Sequence, residues 1–199
     1  MQRLVYGVVL AMGIALPTGP VSAIEELKDE KDRIKACEAR LCSLVTKKKP
    51  DKGAFACSLT KTWQRDQIKH GSSGGPVRWG FGDAQCSVDL KLENGQIVGA
   101  LASGETTLQF PEHTVTCIVE REKEATPVKL TLAPKVKFKD GKAKKIWVNL
   151  KEVDGPPMMR GIAMSVAQLE DTVGIFHKRL VKQVNRLLEE RCPKVVSGG

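Results

Sequence analysis

The spacing of apolar positions along the chain predicts two helices on either side of a segment of strands. Between residues 24 and 45 the apolar side chains recur every three or four positions, which indicates an amphipathic helix. Between 85 and 153 they alternate with polar side chains, which indicates strands with one buried face. Helical spacing returns at 165–192, where Ser165 and Gln168 match a capping box at a helix start.

Two turns define the hairpins expected within the alternating segment. A two-residue turn at Asn94-Gly95 would match the apolar faces of the strands on either side of it. A two-residue turn in the second hairpin would misalign the two apolar faces. A three-residue loop at 139–141 is therefore expected, with Leu132 opposite Val148.

Together these elements predict an α+β fold. We expect an antiparallel β-meander of about five strands, packed on one face by an N-terminal helix and a long C-terminal helix. A single domain would run from 24 to 199, with 46–84 as its irregular segment. A parallel, doubly wound sheet is not expected, because strands and helices do not alternate along the chain.

The first 23 residues have the order of a secretory signal peptide. Arg3 precedes an apolar run, which is followed by Pro17, Pro20 and small residues up to Ala23, where cleavage is expected. The run is shorter than the roughly 20 apolar residues that a membrane span needs. No later stretch is apolar enough to cross a bilayer. The sequence therefore predicts a secreted or periplasmic protein.

All the cysteines follow Ala23, and an even number in an oxidising compartment predicts disulfides. Two of them, Cys37 and Cys42, lie five positions apart on the first helix and point about 140° away from each other, so they cannot bridge. Three bonds allow 15 connectivities. The preferred set is Cys42–Cys57, Cys86–Cys117 and Cys37–Cys192. Because the chain has no C-x-x-C pair and its three histidines are scattered, no metal site is expected. No cofactor is expected either.

Lysines line the outward positions of the second hairpin, beside one tryptophan. The predicted surface comprises Lys129, Lys135, Lys137, Lys139, Lys145, Trp147 and Lys151. The chain has 32 basic and 23 acidic residues, a net charge of +9. Such a surface suits an anionic lipid headgroup, an acidic glycan or an acidic protein. The simpler interpretation, which we favour here, is a solvated face whose lysines block aggregation through strand edges.

Nucleic acid is not an expected partner. The predicted compartment contains little of it, and no aromatic side chains are interleaved with the lysines, as single-strand binding requires.

Residues 71–76, GSSGGP, resemble the nucleophile segment of trypsin-like serine proteases, with Ser73 in the place of the nucleophile. A serine needs a base to accept its proton, and the mature chain before Ser73 has no histidine except the nearby His70. A flexible glycine loop is therefore favoured. The neighbouring Trp79 and Phe81 could line a ligand pocket between sheet and helices, although a turn entering the core is the commoner use of such residues.

Three segments resemble secreted proteins of bacteria that carry no assigned activity: WGFGDAQCSVDL at 79–90, PEHTVTCIVEREKE at 111–124 and GIFHKRLV at 174–181. The resemblance implies a periplasmic location and brings no site with it. The function expected is that of a non-enzymatic binding or structural protein of the cell envelope, with the lysine-rich face as the candidate contact for an anionic partner. A small-molecule carrier is the alternative, and a hydrolase using Ser73 is a remote one.

Overall fold

The computed structural model of the chain describes residues 24–47, 52–72, 79–121, 124–174 and 177–197. The predicted signal peptide at 1–23 lies outside these ranges, and so does Ser73. Both therefore stay predictions.

The helices and strands alternate irregularly along the described chain. The helices are α1 (Glu30–Lys47), α2 (Arg65–Ser72), α3 (Asn94–Ala102), α4 (Pro157–Val173), α5 (His177–Arg186), a π-helical turn (Leu187–Arg191) and α6 (Cys192–Ser197). The strands are β1 (Ala54–Trp63), β2 (Ala84–Glu93), β3 (Glu105–Gln109), β4 (His113–Glu120), β5 (Ala125–Leu132), β6 (Lys135–Lys139), β7 (Lys142–Trp147) and β8 (Leu150–Asp154).

These strands form two antiparallel sheets rather than one meander. The larger sheet has the order β1-β2-β4-β5-β8, and the smaller one has the order β3-β6-β7. The predicted α+β class and the antiparallel five-stranded sheet are confirmed. The sequence did not predict that residues 85–153 are divided between two sheets.

One face of the larger sheet forms the core, and helices from both ends of the chain cover it. Leu41 and Leu44 of α1 pack on Phe55 and Leu92 at the β1 side. Met159, Ile162 and Ala163 of α4 pack on a second cluster, which reaches β8 and includes Ala84, Cys117, Val128 and Val153. This arrangement matches the expected packing of an N-terminal and a C-terminal helix on one face.

The strand β1 falls within the segment that we expected to be irregular. Phe55, Cys57 and Leu59 alternate there with exposed or polar residues, and each lies opposite an apolar residue of β2. Because β1 and β4 occupy both sides of β2, residues 97–101 cannot pair with it as the predicted hairpin required. They form α3 instead, and the predicted Asn94-Gly95 turn is wrong.

The disulfides correct two of the three predicted pairs. Cys86 and Cys117 lie directly opposite each other on β2 and β4 and are bonded, as predicted. The predicted Cys42–Cys57 and Cys37–Cys192 bonds are wrong: Cys37 pairs with Cys57, and Cys42 pairs with Cys192. The two α1 cysteines do point to different sides, as their spacing required. Cys37 faces β1, whereas the buried Cys42 faces α6.

The second hairpin also differs from the prediction. Lys139 pairs with Lys142, so the turn has two residues, Asp140 and Gly141, both with positive φ (52° and 73°) as a type I′ turn requires. The two-residue turn puts Phe138 opposite Ala143, and the register then shifts by one residue at a bulge in β7, which puts Val136 opposite Ile146. The extra residue needed to align the apolar faces therefore lies in the strand and not in the loop.

The C-terminal helix is longer than predicted and is interrupted. Helix α4 begins at Pro157, so Ser165 lies in its interior and caps nothing. The left-handed Gly174 ends α4, with its N–H donating to Glu170 and Leu169. Helical structure resumes at His177 and continues through the π-helical turn to Ser197.

The start of α1 is fixed by a buried carboxylate. Glu30 has no exposed surface, and its Oε atoms accept hydrogen bonds from Lys61 Nζ (2.7 Å) and the Thr62 backbone N–H (3.0 Å). Burial alone would raise the pKa of Glu30, but the bonds from Lys61 and Thr62 outweigh it and hold the pKa below the usual 4.5. This carboxylate therefore ties α1 to the open edge of β1.

The connectivity is directly testable by tryptic mapping under non-reducing conditions, because Arg40 separates Cys37 from Cys42. We expect the disulfide-linked pairs 36–40 with 53–61 and 41–47 with 192–194. Detection of 41–47 linked to 53–61 by mass spectrometry would contradict the structure.

Removing the Glu30 charge should destabilise the fold above pH 4.5. We expect Glu30→Gln to lower the free energy of unfolding at pH 7 by about 1.5–3 kcal/mol, the usual range for hydrogen bonds to a charged group. Because the folded-state pKa is depressed, this contribution is present above the unfolded value of 4.5 and is lost as pH falls through the folded value. The difference from wild type, measured by urea unfolding, should therefore shrink below pH 4.5.

The exposed pair Glu26–Lys31 provides a matched control. Glu26→Gln should change stability by less than about 1 kcal/mol at any pH. Equal effects of the two substitutions would refute the role assigned to Glu30.

Candidate functional site

The chain leaves the larger sheet after β5 and returns to it before β8, and these two points lie next to each other. Ala133 follows β5, and Asn149 precedes β8 with a positive φ of 49°. The two residues bond to each other: Ala133 N–H donates to the Asn149 carbonyl (3.1 Å), and the Asn149 side-chain amide donates to the Ala133 carbonyl (2.8 Å). Asp171 of α4 accepts the backbone N–H groups of Val148 and Asn149 (2.7 and 2.9 Å). This junction separates β6 and β7 from β5 and β8.

The structure brings five of the seven predicted surface residues onto the outer face of the smaller sheet. Lys135 pairs with Trp147 and Lys137 pairs with Lys145 across β6 and β7, and Lys139 lies at the end of the same row. We call Lys135, Lys137, Lys139, Lys145 and Trp147 the lysine face. The opposite, inner side of the smaller sheet is apolar, since Val136, Phe138 and Ile146 are buried there.

Lys129 and Lys151 are not part of this face. Lys129 lies on β5 opposite Asp154, and Lys151 lies at an irregularity in β8, so both belong to the larger sheet. The sequence pattern placed them beside the other lysines because it treated β5 and β6 as one strand.

Most of the positive charge on the lysine face is not neutralised. Lys137 Nζ contacts Glu105 of β3 at 2.5 Å, and this hydrogen bond, together with the lysine charge, lowers the pKa of Glu105. Lys145 Nζ lies 4.6 Å from the centre of the Trp147 ring, a cation–π contact. Lys135 forms no ion pair with another described residue, whereas Lys139 lies opposite Glu105 and its charge also lowers the pKa of Glu105, without an ion-pair contact. An anion approaching the face would therefore meet several available ammonium groups.

Helix α5 holds the edge of the smaller sheet in place. Leu180, Val181 and Val184 pack against the inner side of that sheet. The Asn185 side-chain amide accepts the Ala143 N–H (2.7 Å) and donates to the Ala143 carbonyl (3.0 Å), as a neighbouring strand would. The bulge in β7 follows directly after Ala143. Asn185 and Asp171 therefore position the lysine face, although neither stood out in the sequence.

Trp79 and Phe81 pack into the core. Phe81 is buried in the cluster beneath β2, β4 and β5, and the Trp79 ring meets it edge to face at 5.1 Å. The Trp79 indole N–H donates to the Gly82 carbonyl (2.8 Å). Two hollows on the surface of the described residues, near α5 and near His113, are lined by other residues. The predicted ligand pocket stays a prediction, because 73–78 lie outside the described residues.

A second hollow, of about 760 Å³, borders His113 and carries charges of both signs, including Asp89, Lys91 and Glu112. His113 is buried and has both ring nitrogens occupied: Nδ1 donates to the Pro111 carbonyl (2.6 Å) and Nε2 accepts the Lys91 N–H (3.1 Å). The ring therefore joins β2 to the start of β4 and has no nitrogen available to accept a substrate proton.

Comparison with known proteins adds no assignment to this geometry. No protein-family model, curated protein or solved structure matches the chain. The resemblance to secreted bacterial proteins rests on the three quoted segments alone. Within the described residues, no helix is both long enough and apolar enough to cross a membrane.

Sequence reasoning overlooked the basic residues that surround the lysine face. Lys142 and Lys144 lie on β7, and Lys178 and Lys182 lie on α5. The stretch KAKK in β7 and the spacing of four between Lys178 and Lys182 were visible in the sequence. Their proximity depends on the docking of α5 along β7, which no local pattern reveals.

Proposed function

We propose that this protein is a non-enzymatic, secreted or periplasmic binding protein of the cell envelope that contacts an anionic partner through the lysine face. The observation that carries the proposal is the clustering of four lysines and a tryptophan on one side of the smaller sheet, where Lys137 alone of the four is in an ion pair with a described residue.

The arrangement favours binding over simple protection against aggregation. Protective lysines are most useful on open strand edges. Here Lys135, Lys137 and Lys139 lie on β6, the central strand, whose two edges are already paired with β3 and β7. Like charges on neighbouring strands repel each other, as at the Lys137–Lys145 pair, and this costs stability. An anionic ligand would offset that cost.

An oxidising compartment agrees with the covalent structure. Three disulfides join the described cysteines, and none of these cysteines is free. Disulfides of this kind persist in secreted and periplasmic proteins and are rare in the cytosol. The signal-peptide pattern at 1–23 supports the same location.

The test is salt-dependent binding to a short, fluorescently labelled heparin fragment, with the charges of Lys135 and Lys145 reversed, two of the three lysines of the face that form no ion pair with a described residue. Each lysine near an anionic surface contributes about 1 kcal/mol, so Lys135→Glu with Lys145→Glu should weaken binding at least about tenfold. Raising the ionic strength should remove most of the wild-type affinity, because screening shortens the range of charge interactions to about 3 Å at 1 M salt.

The matched control reverses two lysines of the larger sheet. Lys129→Glu with Lys151→Glu makes the same change in net charge but leaves the lysine face intact, so it should retain most of the affinity. Circular dichroism would verify that both variants are folded. Equal losses in the two variants would indicate a general effect of net charge, and the proposal would be wrong.

A further inference from the structure

A basic stripe of α5 borders the edge of β7. Lys178, Lys182 and Asn185 are spaced by four and three residues and therefore share one side of α5, and Glu189 follows in the π-helical turn. Two of them contact β7 directly: Asn185 bonds to Ala143, and Glu189 contacts Lys142 at 2.7 Å. The side of α5 that carries Lys178 and Lys182 is thus the side that faces β7.

These contacts also show which residues of β7 lie beside the lysines of α5. Glu189 lies beside Lys142 and Asn185 beside Ala143, so α5 and β7 run in opposite directions. Lys182 precedes Asn185 by three residues, about 4.5 Å along the helix. One strand residue advances by about 3.3 Å, so Lys182 comes level with Lys144, the residue that follows Ala143.

Acidic partners are scarce at this seam between strand and helix. Lys144, Lys178 and Lys182 form no ion pair with another described residue. A hollow of about 660 Å³ follows the stripe, and Lys178 and Lys182 contribute to its lining. The acidic residues at its far end are already engaged, since Glu189 contacts Lys142 and Glu190 contacts Arg186.

The distribution of charge along the chain supports one continuous basic surface. Residues 105–109, 135–147 and 177–191 contain eleven Lys or Arg and four Asp or Glu, a net +7 of the +9 carried by the whole chain. Most of the net charge therefore belongs to the smaller sheet and to residues 177–191, where Arg191 contacts Glu38 of α1 and lies away from the stripe.

We propose that the basic surface continues from the lysine face, around the edge of β7, onto the Lys178–Lys182 stripe, and that its ligand is a linear polyanion with regularly spaced sulfate or phosphate groups. This rests on the proposed function and extends it. The apolar residues of α5 pack on the side of the sheet opposite the lysine face, so the two basic areas meet at an edge. A flexible chain can bend around this edge, whereas a flat bilayer can contact only one area.

The experiment measures binding of the full folded protein to polyanions of two lengths. Heparin fragments and inorganic polyphosphate are each used at a length too short to reach from Lys135 to Lys178 and at several times that span. Vesicles rich in phosphatidylglycerol supply the flat surface. The variants are Lys178→Glu with Lys182→Glu, its neutral counterpart Lys178→Gln with Lys182→Gln, and Lys135→Glu with Lys145→Glu. Glutamine keeps the helix propensity close to that of lysine.

We expect wild-type protein to bind the long chains at least about tenfold more tightly than the short ones, because contacts on the two areas then add. Both α5 variants should lose this advantage and keep the short-chain affinity, while the lysine-face variant should weaken at both lengths. The polymer whose affinity rises more with length and falls more in the α5 variants identifies the anionic group as sulfate or phosphate.

Two results would overturn the inference while leaving the proposed function intact. In the first, the α5 variants match wild type on long chains while the lysine-face variant is weakened. In the second, vesicles bind more tightly than long chains and do not respond to the α5 substitutions. A lysine-face variant that binds like wild type at every length would instead refute the proposed function.

Discussion

The junction at Ala133, Asn149 and Asp171 is the contact on which the arrangement of the two sheets depends. Asn149 adopts a left-handed conformation, bonds to Ala133 through both its backbone and its side chain, and has its N–H accepted by Asp171 of α4. The β5–β6 and β7–β8 crossings between the sheets are thus fixed at one place, and α4 is tied to them. Without this separation β6 would continue β5, and its lysines would lie on the larger sheet.

The second constraint is the edge of β7, where the backbone groups of Ala143 need partners. Asn185 supplies both a donor and an acceptor, which places α5 along the edge and keeps the bulge in register. The docking that satisfies these buried backbone groups also brings Lys178 and Lys182 next to the strand that carries Lys142, Lys144 and Lys145. The accumulation of positive charge therefore follows from how the edge of the sheet is closed.

The sequence pattern predicted the α+β class and the outward lysines of β6 and β7, because these depend on local alternation. The Cys86–Cys117 bond was also predicted, although it depends on the pairing of β2 with β4. The pattern failed where a distant contact decides. The cysteine partners of α1 depend on β1, whose alternation of Phe55, Cys57 and Leu59 was visible but was not interpreted as a strand. Pro134 was a visible signal that β5 ends, since proline cannot donate a ladder hydrogen bond. The bulge in β7 had no local signal, because Asn185 lies 42 positions away from Ala143.

The central claim is that a polyanion binds along the lysine face and continues onto α5. NMR chemical-shift mapping on the isotope-labelled protein would test it most directly. With a short heparin fragment, the account predicts shifts at amides of 135–147 and at the Trp147 indole N–H, and with a long chain it predicts additional shifts at 178–186. Shifts concentrated on the outer face of the larger sheet, or near Trp79 and Phe81, would contradict it.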